Sequence, residues 1–101
     1  MKNFDCITAM KALGEESRLR IMRRLLAGPA HVNELATALT ITPYNISKHL
    51  RILREAGLVI QEKQAQQRVY TLAQEFAAHL EANLQVLDLG CCQFDFSKLP
   101  E

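Results

Sequence analysis

Apolar residues recur at helical spacing through most of the chain, and the clearest such stretch lies between residues 42 and 59. Three apolar positions at i, i+4 and i+7 predict a helix with one buried stripe, formed by Ile46, Leu50 and Leu53. Thr42 suits the N-cap and Pro43 the first helical position. Gly57 ends the pattern, and a β-rich segment follows it. The stretch therefore predicts an amphipathic helix followed by a strand.

The same spacing predicts further helices over residues 4–13, 18–27, 33–39 and 74–89. Asn33 is the expected cap of the third of them, and a three-residue turn leads from it into the helix after Thr42. Two β-rich segments, 58–63 and 68–72, flank polar residues and predict a hairpin. The last helix carries an apolar stripe formed by Phe76, Leu80, Leu84 and Leu87.

This order of elements predicts one domain over residues 1–101, mainly α with a β-hairpin, of the winged helix-turn-helix class. Two terminal helices carry more apolar surface than a small domain covers, so we expect them to pair with a second copy. The expected parts are dimerisation helices at 1–13 and 74–89, a helix-turn-helix at 33–56, a wing at 58–72 and a thiol-bearing tail at 90–101.

The charge distribution is more informative than the net charge of +1. Residues 1–72 hold 11 Lys and Arg against 6 Asp and Glu, which leaves +5, whereas residues 73–101 hold one Lys against five acidic residues, which leaves −4. A basic body with an acidic C-terminal part predicts a molecule that holds nucleic acid on one side.

Several other classes are disfavoured by the residues present. No stretch is as long as the roughly 18 apolar residues of a membrane span, and the polar N-terminus does not resemble a signal peptide, so a cytoplasmic protein without membrane contact is expected. Three cysteines do not suggest a secreted disulfide framework. No nucleophile–base set, phosphate-binding glycine loop or carboxylate pair indicates catalysis, so neither enzymatic activity nor a required cofactor is expected.

The exposed face of the helix after Thr42 predicts contact with double-stranded DNA. Short donors and acceptors near a helix N-terminus, with cations further along, match the chemistry of base edges in a major groove. The expected base-contacting residues are Tyr44, Asn45, Ser47, Lys48 and His49. Arg51 on the helix and Arg68 on the wing are expected to contact phosphates or the minor groove. Because operators are commonly symmetric, this interpretation also predicts a homodimer.

Four motifs together resemble the ArsR/SmtB family of winged-helix metalloregulatory repressors. They are LGEESRLRI (13–21), VNELA (32–36), ISKHLRILREAGLV (46–59) and RVYTL (68–72). The resemblance covers about residues 8–89. It implies a homodimeric repressor that leaves its operator DNA when an inducer binds, and it implies structural roles for Arg18 and Arg20.

The sensor sites of several family members are not matched in this sequence. The Cys-Val-Cys of some arsenic sensors is replaced here by His31-Val32-Asn33. The last helix offers His79 and two glutamates but lacks the Asp and His pairs of zinc sensors. The second helix has no cysteine to pair with one on the last helix, as in thiol-redox members.

Cys91 and Cys92 resemble the C-terminal thiol pair of other arsenic-responsive members. Adjacent thiolates suit a soft centre such as trivalent arsenic or antimony. Methylarsenite needs two thiols and arsenite needs three, and Cys6 is the candidate for the third, with a buried apolar role as its alternative. The resemblance thus implies arsenite, methylarsenite or antimonite as the inducer, bound by Cys91, Cys92 and Cys6.

Other functions stay open at this point. A response to cadmium, lead or thiol oxidation would use the same cysteines. A thiol-redox enzyme is disfavoured because no Cys-x-x-Cys motif begins a helix. A winged helix used only for protein contacts is disfavoured by Lys48, His49 and Arg51 on the open face.

Overall fold

Five α-helices and five short strands follow one another along residues 5–99, the part of the chain that the computed structural model describes. The helices are α1 (Cys6–Leu13), α2 (Glu16–Leu25), α3 (Val32–Leu39), α4 (Pro43–Glu55) and α5 (Gln74–Ala82). The strands are β1 (Ala30–His31), β2 (Val59–Gln64), β3 (Gln67–Leu72), β4 (Val86–Asp88) and β5 (Gln93–Asp95), and a 3-10 turn (Phe96–Lys98) follows. Phe4, expected in the first helix, lies outside the described residues.

The predicted helix-turn-helix is present as α3, a short turn and α4. Thr42 caps α4 as expected, because its hydroxyl accepts a hydrogen bond from the Asn45 backbone N–H at 3.2 Å. The cap of α3 is His31 rather than Asn33. The His31 ring accepts from the Glu34 N–H at 3.4 Å, and the Glu34 carboxylate accepts from the His31 N–H at 3.1 Å. This reciprocal capping box starts α3 one residue before the predicted boundary.

The predicted wing is also present. β2 and β3 pair antiparallel from Val59 opposite Leu72 to Gln64 opposite Gln67, and β1 adds to the other edge of β3. The connecting turn has two residues and no glycine, and Ala65 takes a φ of 54°. A two-residue hairpin turn needs a positive φ at its first or at both central positions to match the strand twist. Ala65 therefore adopts a conformation that usually favours glycine.

One apolar core joins all five helices to the wing. The fully buried side chains with the largest volumes include Leu13, Ile21, Met22, Leu35, Ile46, Leu50, Leu53, Phe76 and Leu80. The stripe predicted from α4 is buried as expected. Among residues 5–99, no polar or charged residue belongs to the buried class. No helix in that part of the chain is both long and apolar enough to cross a membrane.

The last helix is shorter than the sequence predicts: it ends at Ala82 instead of reaching residue 89. The Asn83 side chain donates to the His79 carbonyl at 2.7 Å, and Leu84 and Gln85 take φ values of 56° and 70°. Left-handed residues end an α-helix and reverse the chain. The expected helical stripe is therefore split: Leu84 is 85% exposed, whereas Leu87 is fully buried from a strand.

The C-terminal segment is a packed hairpin and not a loose tail. β4 and β5 pair antiparallel, with Leu87 opposite Phe94. Phe96 is fully buried, and its ring meets the Phe76 ring edge-on at a centroid distance of 5.9 Å. Phe96 therefore anchors this segment to α5.

A glutamate caps α2, and this predicts an acid-sensitive contribution to stability. The Glu15 carboxylate accepts from the backbone N–H groups of Ser17 and Arg18 at 3.0 and 3.2 Å. Partial burial acts to raise the pKa of Glu15, but these hydrogen bonds and the charges of His49 and Arg18 outweigh it and lower that pKa below 4.5. The cap is therefore fully stabilising above the unfolded-state pKa and is lost as the pH falls through the lower folded-state pKa.

We expect Glu15→Gln to reduce the free energy of unfolding at pH 7 by about 1 kcal/mol or less, because the carboxylate is partly exposed and screened. Urea denaturation of both proteins between pH 2 and 7 measures the difference. The two curves should converge at the acid end. A difference that stays constant down to the lowest pH would contradict the role of the ionised cap.

Candidate nucleic-acid interface and thiol site

The outer face of α4 is open and rich in hydrogen-bonding groups. Tyr44 is 73% exposed, and the Lys48 ammonium lies 5.4 Å from the centre of its ring. Asn45, Ser47 and Arg51 are exposed on the same helix. Since the opposite stripe of α4 is buried in the core, this face is free to enter a groove. The arrangement of donors and cations predicted from the sequence is therefore present in space.

His49 differs from its predicted position on the open face. Its side chain is only 21% exposed, and its Nδ1 atom lies 3.5 Å from a carboxylate oxygen of Glu15 and 3.4 Å from the guanidinium of Arg18. The helical register turns His49 toward the N-terminal end of α2. Its role in base contact is thus less favoured than that of Lys48, its neighbour in the chain.

Arg18 and Arg20 hold backbone carbonyls, in line with the structural role that the resemblance implies for both. The Arg18 Nε donates to the Ala12 carbonyl at 2.6 Å, at the C-terminal end of α1. Arg20 donates to the Leu39 carbonyl at 2.9 Å, where α3 ends. Both arginines therefore fix helix ends that surround α4.

The wing and the helix-turn-helix share a polar cleft of about 280 Å³. Arg68 from β3 and Ser47 from α4, both expected to contact DNA, line it together with His31, Asn33, Gln67 and Tyr70. Arg54, on α4, donates to the Gln61 side chain on β2, so the wing is tied to α4. His31 and Asn33 were not predicted near the interface. Both lie at the start of α3, and their closeness to Arg68 of the wing depends on the tertiary fold, which no local pattern indicates.

Two of the three cysteines meet although they stand at opposite ends of the chain. Cys6, the first residue of α1, forms a disulfide with Cys91, and their Cα atoms lie 6.2 Å apart. Cys91 belongs to the turn between β4 and β5, which Gly90 enters with a φ of 89°. The Leu89 N–H donates to the Cys92 carbonyl at 2.9 Å and closes the turn. Cys92 is a free, half-buried thiol beside the bond.

Across residues 5–99, no three His, Cys, Asp or Glu side chains are arranged to hold a metal ion. His79, the histidine of the last helix, accepts a hydrogen bond from the Asp88 N–H at 3.3 Å. Its ring therefore holds the hairpin against α5.

The fold and the open face of α4 define a winged helix-turn-helix DNA-binding protein. Residues 15–61 match the family model of the bacterial regulatory proteins of the arsR family. The chain is 34% identical over 87 residues to the transcriptional activator HlyU of Vibrio cholerae, with 86% of this chain and 78% of that protein covered. The chain belongs to the ArsR family of transcriptional regulators.

Solved structures agree with this assignment. The homodimeric winged helix-turn-helix DNA-binding domain of Mb0332 from Mycobacterium bovis, a possible ArsR-family regulator, superposes with a TM-score of 0.70 and 32% identity, covering 78% of this chain and 73% of that one. A possible transcriptional regulator for arsenical resistance gives a TM-score of 0.63 and 36% identity, covering 74% and 78%. The predicted fold class is confirmed. The matched family is one of regulatory proteins and HlyU is a transcriptional activator, so the chain is a transcriptional regulator and not an enzyme, as expected.

Proposed function

We propose that this chain is a homodimeric repressor that leaves its operator DNA when trivalent arsenic binds Cys6 and Cys91, with Cys92 as a third ligand for arsenite. The observation that carries the proposal is the meeting of Cys6 and Cys91 at a Cα separation of 6.2 Å, with Cys92 adjacent in the chain. Sulfur is the donor that a soft, thiophilic centre prefers. The two sulfurs that meet belong to Cys6 and Cys91 and not to the adjacent pair Cys91 and Cys92 that the resemblance implies, and Cys92 is the next residue in the chain.

The DNA-binding half of the proposal uses two copies of the chain. Two α4 helices enter successive major grooves when their centres are about 34 Å apart. Tyr44, Asn45, Ser47 and Lys48 would read base edges, and Arg51 and Arg68 would contact phosphates. The homodimeric state of Mb0332 supports a dimer here.

Binding of the arsenical inducer requires the cysteines in their reduced, thiol form. Methylarsenite would exchange its two hydroxyl groups for the sulfurs of Cys6 and Cys91, releasing two molecules of water. The resulting bridge spans the two residues that the disulfide joins, but inserts an arsenic atom between their sulfurs. Arsenite has a third exchangeable group, for which Cys92 is the remaining thiol in residues 5–99. The bridge would reposition α1 against the C-terminal hairpin and alter the spacing of the two α4 helices.

A response to thiol oxidation is the second candidate, and the disulfide itself favours it. A two-electron oxidant such as a peroxide would join Cys6 to Cys91, taking up two electrons and two protons from the two thiols. This closure would change the same contact between α1 and the hairpin. The two candidates differ in the reagent that acts.

The experiment is release from a labelled operator fragment, measured by fluorescence anisotropy with the reduced protein. We expect methylarsenite to release the unmodified chain and to leave Cys6→Ser and Cys91→Ser bound, because a serine hydroxyl stays protonated and is a poor ligand for arsenic. Cys92→Ser is the matched control. It should keep the response to methylarsenite and lose the response to arsenite.

Separate titrations distinguish the alternatives. Release by cadmium or lead but not by arsenicals would assign another soft metal. Release by hydrogen peroxide alone would assign thiol oxidation. If Cys6→Ser and Cys91→Ser still release DNA with methylarsenite as the unmodified chain does, the proposed arsenic site is wrong.

A further inference from the structure

We propose that Arg18 is a positioning residue that transmits movement of the cysteine-bearing helix α1 to the DNA-reading helix α4. The inference deepens the proposed function, since it concerns how events at Cys6 reach the operator-binding face. It rests on one guanidinium group that touches α1 on one side and α4 on the other.

The first contact is with the C-terminal end of α1. The Arg18 Nε donates to the Ala12 carbonyl at 2.6 Å, and one terminal nitrogen lies 3.4 Å from the Lys11 carbonyl. Cys6 is the first residue of the same helix, whose eight residues span about 12 Å. Because so short a helix moves as a rigid rod, a displacement at Cys6 also displaces the carbonyls held by Arg18.

The second contact is with α4. The other terminal nitrogen of Arg18 lies 3.4 Å from Nδ1 of His49, which accepts its hydrogen bond when that ring nitrogen is unprotonated, and the same nitrogen lies 3.8 Å from the Glu15 carboxylate. Glu15 also approaches Nδ1 of His49 at 3.5 Å. Lys48, directly before His49 on α4, is expected to contact a base. The guanidinium therefore ends one residue from the proposed DNA-reading surface.

Arg18 also lines a cleft between α1 and α4, the two helices that it contacts. A cleft of about 360 Å³ opens between α1 and α4, and Arg18 lines it with Thr8, Lys11, Ala12, Ile52, Glu55 and Ala56. The arginine adds a polar connection beside the direct contacts of the two helices in the core.

The shape of the group explains how the movement is passed on. A guanidinium is planar and directs its N–H groups in a fixed fork. When the carbonyls of α1 shift, the plane must tilt to keep its hydrogen bonds, and the nitrogen facing His49 moves with it. A lysine at this position keeps the charge but has no fork, so it cannot hold both helices in a fixed relation.

The test compares operator affinity without and with methylarsenite, using the reduced full chain. We expect a ratio of dissociation constants of about tenfold or more for the unmodified chain, within the usual range for coupled sites. Arg18→Lys and His49→Ala should each lower this ratio to about twofold or less. The double variant should be no lower than either single one, because both changes break the same link.

Arg20→Lys is the matched control, since Arg20 lies on the same helix but holds the end of α3. Arg20→Lys should keep the same ratio of operator dissociation constants, with and without methylarsenite, as the unmodified chain. Circular dichroism establishes that each variant is folded, and His49→Ala tests the link from the α4 side if Arg18→Lys is destabilised. A full ratio in both Arg18→Lys and His49→Ala would overturn the proposal.

A second readout separates this inference from the identity of the inducer. Diamide, a two-electron thiol oxidant, closes Cys6–Cys91 without arsenic, and amide hydrogen exchange then reports on residues 47–51 of α4. Closure should change exchange there in the unmodified chain and in Arg20→Lys, but not in Arg18→Lys. If methylarsenite fails to release the unmodified chain, the proposed function fails, and this comparison still tests the link. An equal change in Arg18→Lys would overturn it.

Discussion

Leu87→Glu should unfold the domain or come close to it. Leu87 is fully buried on β4. The substitution would therefore place a carboxylate without a partner in an apolar core. Loss of a buried leucine side chain alone costs about 2–5 kcal/mol, and the buried charge adds to that loss. Urea denaturation followed by circular dichroism measures the effect, which is comparable with the whole stability of a small domain.

Leu84→Glu provides the matched control because it introduces the same charge three residues away. Leu84 is 85% exposed, so we expect a change within about 0.5 kcal/mol for the isolated chain. Sedimentation velocity of both variants tests the dimer separately. Dissociation of an otherwise folded Leu84→Glu dimer would place this leucine between two copies. Equal destabilisation of the monomer by both changes would contradict the exposed turn at Leu84.

Asn45→Ala and Lys48→Ala should each weaken operator binding by about 1–3 kcal/mol, or roughly five- to 150-fold, while leaving the fold intact. Both side chains are exposed on α4, and neither belongs to the core. An asparagine pairs well with adenine and a lysine with guanine, so each loss should also relax sequence preference at one position. Anisotropy titrations with the operator and with single-base variants measure both effects.

Lys98→Ala is the control for charge alone. Lys98 is an exposed lysine on the C-terminal 3-10 turn, paired with Asp95 at 3.9 Å. Its removal should change operator affinity by less than twofold at moderate salt. Unchanged affinity in both α4 variants, or an equal loss in Lys98→Ala, would show that α4 does not read the operator.

The parts of the fold that depend on short-range patterns were predictable from the sequence. The stripe of α4, its Thr42 cap and the wing all follow from local periodicity and turn chemistry, and all three are confirmed. The end of α5 was not predictable in this way. The apolar residues Leu84 and Leu87 continue a helical pattern, and only the reversal after Asn83 shows that one faces solvent and the other the core.

In the candidate site, too, the features set by local helix geometry were predictable and those set by distant residues were not. Residues expected on the open face of α4 are found there because helix geometry places them, with the exception of His49. Its environment is set by Glu15 and Arg18, which are more than 30 residues away in sequence and carry no periodic signal. The proximity of Cys6 to Cys91 likewise depends on the complete tertiary arrangement. The sequence offered Cys6 only as a candidate partner, through the resemblance.

The bond between Cys6 and Cys91 spans 85 positions and so turns almost the whole described chain into a covalent ring. Closing a ring of that size restricts the unfolded chain by about 4–5 kcal/mol in the loop-entropy description. A thermodynamic cycle requires the reverse as well: folding favours formation of the bond by the same free energy. Since every 1.4 kcal/mol is a factor of ten, the folded chain closes this ring about a thousandfold more readily than the unfolded chain does.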